Sequence, residues 1–100
     1  MDAEEVWESL IVSGSEKPIE LKTKTGLHFN LVSNGKHLTV RQSNRQPSSK
    51  LKSPRTIYKD NFIKVFPYYP KWLAHEKGIS TEITAITGNA SYIMAAINDR

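Results

Sequence analysis

Two histidines and several cations lie close together in this chain: His28, Lys36, His37, Arg41 and Arg45. Imidazole takes up and releases protons near neutral pH, and a neighbouring lysine or arginine stabilises a phosphate as charge develops on it. Two such histidines with flanking cations are what a metal-free RNA-cleaving site would use. Metal chemistry has less support. The chain has no cysteine, and no Asp or Glu lies between Leu21 and Lys59 to complete the about three or four ligands of a zinc site. Neither a metal nor a cofactor is therefore expected. Gly14, Gly26, Gly35, Gly78 and Gly88 are isolated and read as turns or caps, not as a phosphate-cradling loop. Histidines on a strand commonly serve as plain polar residues, so a small ribonuclease is the lesser reading and a non-catalytic role the main one.

The same residues belong to a longer pattern. Leu21 to Lys59 holds nine Lys or Arg and no acid, whereas residues 1–20 carry Asp2, Glu4, Glu5, Glu8, Glu16 and Glu20 against Lys17 alone. Residues 60–100 are balanced, and the whole chain has a net charge of +4. An acid-free run of this length should generate a positive potential over part of the surface, which points to a polyanion. DNA or RNA is the expected partner. An acidic protein bound by an accessory or regulatory module is the alternative. The acidic first twenty residues could also screen part of the basic surface from within the chain.

The elements that must position these residues follow from periodicity. Residues 2–12 read as a helix capped by Asp2, with Val6, Trp7, Leu10 and Ile11 on one side and Ser13-Gly14-Ser15 ending it. Residues 18–24 alternate as a strand, with Ile19, Leu21 and Thr23 facing in. Residues 27–32 form a second strand with Leu27, Phe29 and Leu31 facing in, and residues 36–42 a third with Leu38 and Val40 facing in. Asn34-Gly35 between the last two predicts a hairpin with a type I′ turn. Lys22, Lys24, His28, Asn30, His37, Thr39 and Arg41 then share the polar face.

Residues 42–55, QSNRQPSSKLKSPR, read as a flexible basic loop in which only Leu51 is suited to burial. Thr56-Ile57 is a short strand at most. Residues 59–66 are a helix ended or kinked at Pro67, and a short helix begins at Pro70, carries Trp72 and stops at Gly78. Phe62, Phe66 and Trp72 are assigned to the core; Tyr68 and Tyr69, which lie around prolines, are candidates for partial exposure. Residues 79–98 fit either a strand followed by a helix or two helices about Gly88. The second arrangement only loosely resembles bacterial helix-turn-helix repressors, because Asn89 stands where such motifs want an apolar residue.

The expected fold is a single small α+β domain spanning residues 1–100. A three-stranded antiparallel meander carries an N-terminal helix, and a helical C-terminal half packs on one sheet face. The expected function is nucleic-acid binding, with phosphate contacts from Lys22, Lys24, His28, Lys36, His37 and Arg41 on the sheet and from Arg45, Lys50, Lys52 and Arg55 in the loop. Asn30, Gln42 and Asn44 are the candidate base-edge contacts. The acidic start, without a long apolar run, and the lack of cysteine lead to the expectation of a cytoplasmic protein with no membrane segment.

Overall fold

The computed structural model describes residues 2–48, 51 and 53–100. It begins with helix α1, Ala3–Glu16. The Asp2 side chain accepts the Glu5 N–H at 2.8 Å, and Glu4 and Glu5 sit where the helix dipole favours negative charge. Val6, Trp7, Leu10 and Ile11 are its buried stripe. The helix does not stop at Ser13, as the Ser-Gly-Ser run suggested, but continues to Glu16. Gly14 is buried there, and a β-carbon on it would lie 3.1 Å from both Cβ and N of Ser33. This glycine is therefore a close-approach residue. Its missing side chain lets the helix settle on the sheet backbone.

Strands β1 (Ile19–Lys22), β2 (His28–Ser33), β3 (Leu38–Gln42) and β4 (Arg55–Ile57) form one antiparallel sheet in the order β1-β2-β3-β4. The expected three-stranded meander gains a fourth strand. Thr56-Ile57 is too short a run to stand out locally. It pairs because the free edge of β3 is available, with Leu38 opposite Ile57 and Thr39 opposite Thr56. The Asn34-Gly35 hairpin forms without a type I′ turn, which needs positive φ at two successive residues. Gly35 has φ +89°, but neither neighbour is left-handed. Asn34 Oδ1 instead accepts the N–H groups of Lys36 and His37 at 2.9 and 2.8 Å, so a side-chain carbonyl closes the turn.

Alternation sorts the sheet into two faces. Leu21, Phe29, Leu31, Leu38, Val40 and Ile57 are buried, in one apolar cluster with the α1 stripe. The C-terminal half completes that cluster. Helix α2 (Lys59–Val65) adds Phe62 and Val65, and Trp7 meets Phe62 with ring centroids 5.2 Å apart. A 3-10 turn at Phe66–Tyr68, built around Pro67, leads into helix α3, Tyr69–Leu73. Phe66 and Trp72 pack half-buried against the core, as do Tyr68 and Tyr69. Gly78, with φ +81°, precedes helix α4 (Ile79–Ile86), which buries Ile79 and Ile83. Burying one such large side chain contributes about 1.5–3 kcal/mol.

Helix α5, Ala90–Asp99, buries every residue from Ile93 to Ile97. Its middle thus has no open face to enter a DNA groove: α4 packs on α2 and α3, and α5 on α2 and β1. Asn89 holds the N-cap position of α5 but does not cap it through its side chain. Its Nδ2 donates to the Thr56 carbonyl at 3.2 Å, covering a backbone acceptor of the β4 edge strand. Among the described residues no helix is long and apolar enough to cross a membrane.

Candidate nucleic-acid interface

The strand register arranges the second sheet face in rows. Lys22 lies opposite His28; Glu20, Asn30 and Arg41 form the next row; Val32, Thr39 and Thr56 the one after. His37 and Tyr58 continue the alternation just past the ends of β3 and β4. Their rings meet edge to face, with centroids 4.8 Å apart and planes at 71°. Lys36 sits beside them in the hairpin turn. Lys22, Lys36 and Arg41 are exposed, while His28, Asn30 and His37 are half-buried. Arg45 extends from the loop after β3 to Glu20 on β1, with Nε 3.4 Å from the carboxylate. Glu20 is thus a carboxylate among the cations of this face, and its ion pair is exposed enough that solvent screens it strongly.

The other expected contacts are placed differently. Lys24 lies beyond the end of β1, in the Thr23–Gly26 turn closed by the Gly26 N–H on the Thr23 carbonyl. Its ammonium sits 4.6 Å from the Trp72 ring centroid and 2.8 Å from His75 Nε2, so it engages α3 and the loop after it. Arg55 shares its parity with Val40, on the covered face, where Nη1 donates to the Gly88 carbonyl at 3.4 Å. It ties β4 to the α4–α5 turn. Lys59, the last cation of the acid-free run, pairs with Glu4 at 2.7 Å. That hydrogen bond, with the charges of Glu4, Glu8 and Asp60, outweighs the cost of desolvation and raises the Lys59 pKa. Lys50 and Lys52 lie outside the described residues.

The loop has more structure in its first part than its composition implies. Ser43 and Ser48 are buried, and the Pro47 carbonyl accepts the His28 N–H at 2.8 Å. Ser43 Oγ accepts the Arg45 N–H at 3.0 Å, fixing the backbone from which Arg45 reaches Glu20. Of the candidate base-edge contacts, Asn30 shares the open face with Arg41. Its Oδ1 is buried and has no hydrogen-bond partner among the described residues. Gln42 has the opposite parity and points with Phe29, although it is exposed at the strand end. Asn44 is exposed in the loop.

This geometry bears on the chemistry. His28 and His37 are not cross-strand neighbours. His28 pairs with Lys22 at one end of the β2–β3 hairpin, and His37 meets Tyr58 at the other. In that register they stand some six residues apart along the strands, about 20 Å at strand rise. General acid and base must both lie within hydrogen-bond reach of the reacting group, and these two histidines do not. Among the described residues no group of three His, Asp or Glu is arranged to hold a metal. An open depression of about 420 Å³ beside β1 has Lys22, His28 and Arg45 in its lining, but also Glu20 and Asp99. Those carboxylates make it a poor cradle for a bare phosphate. The positive charge is distributed over a face and is not focused in a pocket.

Two features of this face escaped the sequence reading. Glu20 has the same parity as Lys22 but lies one residue before the acid-free run, so the choice of boundary hid it. Tyr58 follows Thr56 and Ile57 in the alternation, and extending that period by one residue would have placed it on the open face. Compared with family models, curated proteins and solved structures, the chain matches none of them.

Proposed function

We propose that this chain is a nucleic-acid-binding module whose open sheet face meets the phosphate backbone. The observation that carries the reading is the sharing of one uncovered face by Lys22, Arg41, His28 and the reach of Arg45, with Lys36 at its rim and Glu20 as the opposing carboxylate. A half-exposed sheet needs polar residues on its outer side, but nothing in folding requires them to be cationic. Exposed lysines and arginines cost little to keep solvated and gain by displacing counterions from a polyanion. Asn30, in the Arg41 row, and Thr39, one row nearer the hairpin turn, add neutral polar contacts. Such a module would work in the cytoplasm, without metal or cofactor.

A salt-titrated binding panel of duplex DNA, single-stranded DNA and RNA tests this. Affinity should fall linearly on logarithmic axes, with a slope of about −0.9 per phosphate neutralised on duplex and about −0.7 on a single strand. Lys22→Gln and Arg41→Gln should each weaken binding on all sequences alike and reduce the slope by about one. Absence of binding to all three probes at about 50 mM salt, where phosphate contacts are strong, would sink the proposal.

A further inference from the structure

We infer that this face takes a single-stranded polynucleotide, with Tyr58 as the ring on which a base stacks; the inference rests on the nucleic-acid reading above. Tyr58 is 51% exposed, although it stands between buried Ile57 and the first turn of α2. Its ring is braced edge to face by His37. His37 Nδ1 is buried without a hydrogen-bond partner among the described residues, so packing against Tyr58 is the contact seen to orient the imidazole. A ring half open to solvent and held in one orientation leaves a flat face that a partner's ring can cover.

The surroundings indicate what that cover is. Lys36, exposed in the hairpin turn, directly precedes His37. In the other direction comes the uncharged row of Val32, Thr39 and Thr56, followed by Arg41. His37 and Arg41 are four residues apart on one strand, about 13 Å at strand rise. Small side chains lie between them, so cations border a low, uncharged floor that has an aromatic at one end. A single strand presents both base faces and phosphates to such a surface, and base–aromatic stacking is how flat sheet faces hold it. A duplex keeps its base faces stacked inside. No described helix projects from this face to enter a groove about 12 Å wide.

The test uses labelled oligomers of about 12 nucleotides, within the range of site sizes for single-strand binders. The probes are single-stranded RNA, single-stranded DNA, the DNA duplex and an abasic strand of equal length, all at one salt concentration. One of the single strands should bind more tightly than the duplex. The abasic strand should bind about 5- to 150-fold more weakly than its base-bearing counterpart, the loss of one stacked base. Tyr58→Ala should cause a loss of the same size without changing the salt slope, and Tyr58→Phe should retain the affinity. Duplex binding as tight as single-strand binding, an abasic strand bound equally well, or an affinity unmoved by Tyr58→Ala would each overturn the inference and leave the phosphate-binding reading standing. No salt-dependent binding to any probe would overturn both. The abasic comparison uses the unaltered chain, so it decides the matter even if a Tyr58 variant fails to fold.

Discussion

The two faces of this sheet are built from the same strands in the same register, yet they obey different constraints. The covered face carries Leu21, Phe29, Leu31, Leu38, Val40 and Ile57, all buried under the helices. The open face carries Glu20, Lys22, His28, Asn30, Val32, Thr39, Arg41 and Thr56. On the first, close packing dictates size and apolarity, so the residues there report on folding and on little else. On the second, water satisfies almost any polar side chain, so no packing requirement dictates the charges of Lys22, Arg41 and Glu20. Burial makes a face informative about stability; freedom from burial makes its composition informative about function.

Substitutions on the two faces should separate these roles. The largest effect is expected from Phe29→Ala. Phe29 is fully buried and meets Tyr92 with ring centroids 5.0 Å apart. Its truncation should remove about 3–5 kcal/mol in urea unfolding, a large part of the about 5–15 kcal/mol typical of a domain. Gly14→Leu comes next, at about 1–3 kcal/mol, because the added side chain has to displace Ser33 and the β2 backbone. Gly14→Ala sharpens that point. Alanine gains about 1 kcal/mol in helix propensity, so a measured value near zero would mean that the 3.1 Å contact costs about as much as the propensity returns.

Arg41→Ala lies on the other side of the comparison. It should change stability by no more than about 0.5 kcal/mol, as exposed substitutions do, while weakening polyanion binding. A large stability loss there would break the contrast between the faces. The smallest effect belongs to Lys59. Glu4 raises its pKa, so the stabilisation from this pair is complete below the ordinary lysine pKa and is lost as pH rises through the raised value. The window therefore opens upward from about pH 10.5. Glu4→Gln should bring the Lys59 midpoint back toward the ordinary range, which an NMR titration of its ε-carbon would follow.

Much of the covered face was legible in the sequence. Phe29, Leu31, Leu38 and Val40 alternate with polar neighbours, and that period places them on one side whatever covers them. Val6, Trp7, Leu10 and Ile11 declare the α1 stripe in the same way. The open face was legible in parity but not in membership. Lys22, His28, Asn30 and Arg41 fell where alternation put them. Lys24 did not, because the Thr23–Gly26 turn interrupts the period and Trp72 offers its ring. Arg55 was assigned to a loop, since the short run Thr56-Ile57 gives no sign that the strand starts one residue earlier, opposite Val40, fifteen residues away. Gly14 looked like a terminator for a related reason. Only the nearness of Ser33 explains why a glycine is needed inside a helix.

What can be read from this chain in a line is set by near neighbours. Alternation gives each strand residue its side, i and i+4 spacing gives α1 its stripe, and Asn34 with Gly35 marks the hairpin. Closure of the layers settles the rest: the fourth strand, Glu20 facing Arg45, Lys59 held by Glu4, and Tyr58 left exposed against His37. These pairings join residues distant in sequence. Their free energy arises only once the helices cover one sheet face and leave the other in water, so no local pattern encodes them.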